Sequence, residues 1–309
     1  MIVRNRPSLI KLFFILRGSV IQRIFPQVLF VFALSAFVVW AHRVDPGLVP
    51  SVNSGPFALL GIALSVFLGF RNNACYDRWW EARKDWGQLI FAARDLARQT
   101  LVLVQADSVS AKDDARQRLL NIAIAFAHAL VCHLRPGSDA SKALARLPAD
   151  LAPGYRASRN GPDYLLREMG RDLAELRASG TISDVQWVLL DGTVGRMSAM
   201  LAACERIRNT PVPFGYTLLL HRTAYLFCFL LPFGFADALG WATPFVTALV
   251  AYTFFGLDAL GDELEEPFGV LPNDLPIVAL ADIIEINLRE ALGETDLPPL
   301  PQPKDYILM

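Results

Sequence analysis

The chain of 309 residues is 53% hydrophobic and only 19% charged, and 29 basic against 30 acidic residues leave a formal net charge of −1. Soluble domains carry about a quarter of charged residues, so this composition indicates a membrane protein. Because no basic excess is available to neutralise phosphates, the charge argues against nucleic acid as a partner.

The N-terminal segment, residues 1–23, contains five basic residues and no acidic one. From Leu9 to Ile21 the basic residues alternate with apolar ones at helical spacing, which predicts a helix lying at the membrane surface. By the positive-inside rule, this segment places the N-terminus in the cytoplasm.

Four apolar runs follow that are long enough to cross a bilayer, which takes about 20 residues in a helix that satisfies its own backbone. Three of them contain no Asp, Glu, Lys or Arg, and the fourth contains only Arg222; they are residues 24–42, 46–70, 238–257 and 212–236. We predict transmembrane helices 1 and 2 within 24–74, with the second at 57–74, and helices 3 and 4 within 211–260. An even number of crossings leaves both termini in the cytoplasm.

Residues 75–210 are polar and repeat their apolar positions every 3.6 residues, which predicts a cytoplasmic helical region. Within it Leu119–Leu134 is uncharged, but its alanines and two histidines favour a buried core helix over a membrane span. The C-terminal part, 261–309, is predicted to hold a helix at Val278–Leu292. Its Pro-rich tail cannot be helical and is predicted to be extended.

Catalytic and cofactor motifs are missing from the sequence: it contains no P-loop, no Gly-rich dinucleotide fingerprint, no GxSxG and no HExxH. The four cysteines lack the spacing of a metal site. The sequence therefore predicts neither an enzyme nor a cofactor.

The second predicted span carries Ile62, Val66 and Phe70 at i, i+4 and i+8, which puts them on one stripe of the helix. Periodicity alone favours a stripe that packs against lipid or another helix. If several subunits surrounded an axis, the same stripe would form stacked apolar rings, and such constrictions gate ion flow by dewetting.

Four motifs resemble those of one family. Phe67-Leu68-Gly69-Phe70 followed by Arg78-Trp79-Trp80 is similar to the bestrophin signature of a pore helix followed by Arg-Trp-Trp. The other three similar stretches are Pro211-Val212-Pro213-Phe214-Gly215-Tyr216-Thr217, Pro267-Phe268-Gly269 and Asn273-Asp274-Leu275-Pro276. They occur in the family's order over nearly the whole chain.

The resemblance implies a homopentameric ion channel with one pore on the symmetry axis, and it places Ile62, Val66 and Phe70 on three hydrophobic neck rings. It also implies a second, cytoplasmic aperture at Val185, with Ile182 as the alternative. Animal bestrophins favour chloride whereas prokaryotic relatives include cation conductors. Asp184 would favour cations if it faces the axis, so the sign of the permeant ion stays open.

Two departures concern charged residues. In animal bestrophins a calcium-binding acidic cluster follows Pro-Phe-Gly, whereas here only Asp274 remains, and calcium wants six or more oxygen ligands. We therefore predict no calcium site and expect Asp274 to be a helix N-cap. Arg222, a charge inside a predicted span, is expected to pair with Asp258 or to reach a water-filled vestibule.

The sequence thus predicts an all-α membrane protein with four transmembrane helices per subunit and a cytoplasmic helical bundle, assembled as a bestrophin-like pentamer. Its partners would be its own copies, membrane lipids and small permeant ions, in a bacterial inner membrane. The alternative is a non-conducting scaffold or receptor whose bundle binds a partner, with the Pro-rich tail as a docking peptide. A secondary transporter comes third, since it would need charged or unwound residues at mid-membrane beyond Arg222.

Overall fold

The computed structural model describes residues 1–4, 7–8, 10–11, 14–16, 18–47, 49, 52–103 and 109–309. Over these residues it consists of ten α-helices and one 3₁₀ turn, Gly240–Ala242. The helices are α1 (Ile21–Val44), α2 (Gly55–Leu103), α3 (Val109–Leu134), α4 (Ser141–Ala145), α5 (Ala152–Ala157), α6 (Gly161–Ala178), α7 (Asp184–Asn209), α8 (Phe214–Leu239), α9 (Thr243–Glu265) and α10 (Ile277–Ala291). The surface helix expected from Leu9 to Ile21 is not continuous: residues 10–11 are helical, but 14–16 and 18–20 are turn or irregular chain. Residues 9, 12–13 and 17 of this segment lie outside the described residues.

The chain divides into two compact units. One, here called the membrane unit, contains Arg4–Trp79 and Pro211–Pro267, and the other, here called the helical unit, contains Met1–Val3, Trp80–Thr210 and Phe268–Met309. The helical unit thus combines the central polar region with the C-terminal part of the chain.

The membrane unit is built from α1, the first part of α2, α8 and α9. Its core consists of aliphatic and aromatic side chains from all four helices, among them Val31, Leu68, Phe227 and Phe255. Proline in the first turn of α9 fits the fixed φ angle needed there. Gly240, with φ of +50°, forms the turn between α8 and α9, a backbone conformation that glycine adopts without steric cost.

Four described stretches are long and apolar enough to cross a membrane: Ile21–Val44, Gly55–Leu101, Asp114–Leu134 and Phe214–Glu265, the last of which contains α8 and α9. The most apolar window of Asp114–Leu134 is 72% buried inside the protein. Its hydropathy is therefore explained by burial against α6 and α10. This is the burial of a core helix, as the sequence predicted for Leu119–Leu134.

Short-range signals define several ends in the helical unit. Ser183 and Gln186 form a reciprocal capping box at the start of α7. The predicted C-terminal helix is α10, shifted by one residue at each end. Residues 295–303 contain no helix, as expected for the Pro-rich tail, and Ile307 pairs with Ile2 in an isolated antiparallel bridge.

Candidate functional site

The predicted stripe on α2 lies on the surface of the subunit. Ile62 is 64% exposed, Val66 49% and Phe70 60%. Ala58 and Asn73, which extend the stripe at either end, are exposed as well. The structure therefore places the three side chains on one open, apolar face of α2.

The inner face of the same helix is buried. Leu64 and Leu68 belong to the core of the membrane unit, and Arg71 follows on the same face at a spacing of i, i+4 and i+7. The side chain of Arg71 is completely buried. A buried guanidinium is tolerated only when it is paired and hydrogen-bonded. The packing of α2 in the membrane unit therefore depends on the partners of Arg71.

Three carboxylates of α9 neutralise Arg71. Its Nη1 donates to Asp258 Oδ1 at 2.8 Å, and its Nη2 donates to Asp262 Oδ1 at 2.6 Å and to Glu265 Oε2 at 3.4 Å. The acids are spaced i, i+4 and i+7, so they share one face of α9. This arrangement, here called the Arg71 cluster, anchors α2 to α9 one residue after Phe70.

The anchor needs a glycine on α9. A Cβ at Gly261 would come within 2.6 Å of Asn72 Oδ1 and 3.1 Å of Arg71 Nη1. Real side chains cannot approach so closely without displacing their neighbours. Gly261 thus leaves the space through which Arg71 reaches the carboxylates.

The expected pair of Arg222 with Asp258 is not formed. Both oxygens of Asp258 are occupied, one by Arg71 and the other by Nδ1 of His221 at 2.7 Å. Arg222 is exposed on α8 and makes no ion pair with a described residue. Neighbouring residues of a helix point about 100° apart, so when His221 faces α9 its neighbour cannot.

Residues of two family motifs make contacts at helix ends in the membrane unit. Arg78 Nε donates to the carbonyl oxygen of Glu265 at 3.2 Å, and Glu265 is the last residue of α9. Arg78 thus joins α2 to the C-terminal end of α9. Tyr216 Oη, from the Pro-x-x-Tyr-Thr stretch, donates to the carbonyl oxygen of Phe67 at 3.1 Å and so ties the first turn of α8 to α2.

The two candidate aperture residues occupy different environments in the helical unit. Val185 lies in the first turn of α7 and is 71% exposed, whereas Ile182 is 2% exposed. A side chain that lines a pore must reach the surface of its subunit. Val185 meets this condition and Ile182 does not.

The carboxylate of Asp184 is paired. Its Oδ1 accepts from Arg177 Nε at 2.6 Å, and the Arg177 guanidinium also lies over the ring of Trp187 at 5.0 Å. The pair is exposed, so its net stabilisation is small. It nevertheless places a positive charge beside Asp184, which offsets the negative charge expected to favour cations.

Asp274 is buried and caps a turn instead of a helix. Its Oδ2 accepts from the backbone N–H of Leu271 at 2.6 Å, while α10 begins after Pro276 without a side-chain cap. The N-cap prediction is therefore wrong. Pro276 occupies the N-cap position, and its side chain has no oxygen that could accept from the free N–H groups of the first turn.

Arg135 braces the two C-terminal family motifs within the helical unit. It is nearly buried, and it donates through Nε to Phe268 O at 2.7 Å and through Nη2 to Leu275 O at 2.9 Å. Neither Arg135 nor Arg71 was among the site residues predicted from the sequence. In each case an arginine ends a long uncharged run, and for Arg71 the three acids at helical spacing on α9 were a further signal.

A family model described as "Bacterial/Fungal Bestrophin protein" matches residues 1–290. The chain belongs to the bestrophin family. The resemblance seen in the four sequence motifs is thereby confirmed.

Curated relatives cover almost the whole bestrophin chain. A "voltage-dependent anion channel-forming protein" of Mesorhizobium japonicum is 47% identical over 99% of this chain and 97% of its own length. The protein of the same description, YneE, from Escherichia coli K12 is 41% identical over 96% of both chains. Membership in a family of channel-forming proteins classes this bestrophin as a channel and not an enzyme.

Solved structures agree with the fold. A "bacterial Bestrophin homolog from Klebsiella pneumoniae" superposes with a TM-score of 0.82 at 38% identity, covering 89% of this bestrophin and 100% of that chain. The all-helical architecture with apolar membrane helices is thus shared by this bestrophin and its relative.

Proposed function

We propose that the protein is a homopentameric channel that passively conducts small monovalent ions across the bacterial inner membrane, with both termini in the cytoplasm. The hydrophobic neck consists of Ile62, Val66 and Phe70, and Val185 lines the cytoplasmic aperture. The observation that carries the proposal is the exposure of all three stripe residues on an uncharged helix face.

The low burial of α2 within one subunit supports assembly around this face. Only 17% of its most apolar window is buried in the subunit, compared with 33% for α1. Lipid or other subunits must cover the rest, because apolar surface is not left in water. A closed ring of identical copies would turn each stripe residue into a ring of side chains.

A neck of this kind controls flow without binding ions. Ile, Val and Phe offer no polar group to replace an ion's hydration shell, so ions pass only when the rings are wide enough to stay wet. The sign of the permeant ion must then come from charges elsewhere along the path. The names of the curated relatives support anions, and the Arg177–Asp184 pair offsets the one feature that favoured cations.

The neck is tested by a triple substitution, Ile62→Ala, Val66→Ala and Phe70→Ala, in purified protein reconstituted into liposomes. We expect ion flux to rise severalfold, because smaller side chains widen the rings and lower the barrier to wetting. Phe67→Ala is the matched control: Phe67 is 50% exposed on the same helix but lies off the stripe, and its flux should not change.

Unchanged flux in the triple variant, or an equal rise in the Phe67 control, would remove the neck assignment. A scaffold or receptor would pass no current in any of these variants. In asymmetric KCl, the reversal potential of the wild type should lie toward the chloride equilibrium potential. A shift toward the potassium potential would contradict the choice of anions while leaving the neck in place.

A further inference from the structure

The helical unit contains a cluster of metal-ligand side chains that the proposed conduction path does not use. His128 lies on α3, and Asp282 and Glu285 lie three residues apart on one face of α10. One ligand atom from each of the three residues lies within 4.8 Å of the other two. The shortest separation, between His128 Nε2 and Glu285 Oε2, is 2.8 Å.

We propose that His128, Asp282 and Glu285 bind a divalent transition-metal ion of the zinc type. An imidazole nitrogen with two carboxylates is a three-ligand set suited to zinc, in which water takes the fourth position. Calcium prefers six or more oxygens, and magnesium prefers oxygen ligands and water, so neither ion fits a site with a nitrogen ligand.

Burial preorganises the nitrogen ligand. The side chain of His128 is only 4% exposed and points at Glu285, so its ring is fixed before any ion arrives. To ligate through Nε2 the imidazole must be neutral and carry its proton on Nδ1. The ion then takes the place of the hydrogen bond between His128 and Glu285.

Access comes from the other side of the cluster. Asp282 and Glu285 line a cavity of about 300 Å³ together with Lys142, Arg289 and residues of the Pro-rich tail. Such a cavity supplies both an entry path and space for a water ligand. The site therefore has a buried side that holds the imidazole and an accessible side that receives the ion.

Two cations compete for the same carboxylates. Lys142 Nζ donates to Asp282 Oδ1 at 2.6 Å, and Arg289 Nη1 donates to Glu285 Oε1 at 3.3 Å. The side chain of Lys142 is 53% exposed, so it can swing into water when an ion binds to Asp282. The guanidinium of Arg289 retains Glu294 at 2.7 Å as a partner in either state. The lysine and the metal ion therefore compete for Asp282.

The first experiment measures zinc binding to the full-length protein in detergent by calorimetry, after treatment with chelator. We expect one zinc ion per subunit and a higher melting temperature with zinc but not with calcium or magnesium. In His128→Gln, zinc affinity should fall at least about tenfold, since one of three ligands is lost. Cobalt(II) should give the visible absorption of a four-coordinate site in the wild type and not in this variant.

His133→Gln is the matched control. His133 lies on the same helix and its Nε2 likewise contacts a carboxylate, Glu205 Oε1, at 2.8 Å. Among the described residues, however, no second carboxylate completes a three-ligand group there. Its zinc affinity should equal that of the wild type. Equal affinity of His128→Gln and the wild type, or an equal loss in both variants, would overturn the proposal.

Lys142→Gln tests the proposal in the opposite direction without touching a ligand. Removing the ammonium group frees Asp282, so zinc should bind more tightly than in the wild type, and Asp282→Asn should bind it more weakly. Lys142 and Asp282 are partly exposed, so these two variants should fold even if His128→Gln does not. Unaltered zinc affinity in both variants, or stabilisation by calcium as large as that by zinc, would refute the site. None of these measurements depends on ion conduction.

Discussion

At the scale of single residues, Arg71 is tightly constrained within the membrane unit. Its guanidinium is fully buried and bonded to carboxylates of Asp258, Asp262 and Glu265. Removing one member of a buried ion pair leaves the others unpaired, which costs far more than the intact pair contributes. The Arg71 cluster therefore matters for stability mainly because the loss of one member is strongly destabilising.

Arg71→Gln should lower the stability of the protein by about 3–5 kcal/mol, since Asp258 and Glu265 lose the guanidinium in a largely buried site. Asp262 keeps a second partner, Arg23, at 2.6 Å. The measurement is thermal unfolding in detergent, with yield of monodisperse protein as a second readout. Arg98→Gln is the control, because its pair with Asp95 is exposed and such pairs contribute about 0–1 kcal/mol. Similar losses in both variants would contradict the role given to Arg71.

The surroundings of Asp85, in the helical unit, disfavour the ionised form of its carboxyl group. Burial, followed by the nearby charge of Glu81, raises the pKa of Asp85 from 3.8 to about 6, and its Oδ2 is buried without a hydrogen-bond partner among the described residues. The folded state therefore binds more protons than the unfolded state between these two pKa values. Stability contributed by this group is present below pH 3.8 and is lost as the pH rises through 6.

Asp85→Asn should consequently raise the melting temperature at pH 8 and change it little at pH 4, with a gain of about 1 kcal/mol at the higher pH after allowance for solvent screening. Unfolding followed by circular dichroism across this pH range measures the effect. Asp191→Asn, a substitution at an exposed position of α7, is the control and should leave the melting temperature close to that of the wild type. A gain at pH 4 as large as that at pH 8 would rule out ionisation of Asp85 as the cause.

At the scale of helices, much of the fold follows from composition and periodicity. The uncharged runs predicted the apolar parts of α1, α2, α8 and α9, and the i, i+4, i+8 pattern predicted the shared face of Ile62, Val66 and Phe70. The sequence did not show that α2 is one helix of 49 residues, because its pattern changes from apolar to amphipathic near Arg71. The short helices α4 and α5 were also missed, since one or two turns contain too few residues for a periodic signal.

The contact partners of a side chain were harder to predict than the helix face on which it lies. Periodicity shows which residues of one helix lie together, but not the rotation of that helix against its neighbours. The expected pair of Arg222 and Asp258 failed for this reason, because α8 presents His221 to α9. The sequence allows both Val185 and Ile182 as the aperture because no motif fixes its position. In the structure the capping box of Ser183 and Gln186 starts α7 between these two residues.

The close packing of α2 and α9 can be tested at their contact. Gly261→Ala should destabilise the protein by about 1–3 kcal/mol, because the added methyl group overpacks the space occupied by Arg71 and Asn72. Gly256→Ala, five residues earlier on the same helix, meets Ile24 Cδ1 at an ordinary 3.7 Å and should be neutral or stabilising. Thermal unfolding of the two variants measures this difference. Equal changes in melting temperature would argue against a tight contact at Gly261.

At the scale of the whole molecule, the exposed apolar face of α2 must be covered by lipid or by other subunits. The proposed pentamer would cover part of this face with neighbouring copies and leave the stripe around a central axis. Native mass spectrometry of the protein released from detergent should therefore give five times the mass of one chain. A monomer would be incompatible with a pore on a symmetry axis, whatever the conductance of the preparation.

The Arg71 cluster also limits how such a pore can open. Turning α2 about its long axis would pull the guanidinium away from three acids at once, so the helix backbone next to Phe70 is effectively locked. The aromatic ring itself bears no such restraint and can change its side-chain torsion angle within nanoseconds on an exposed surface. We therefore expect the pore to widen at Phe70 by a change of side-chain rotamer, while the backbone of α2 stays in place.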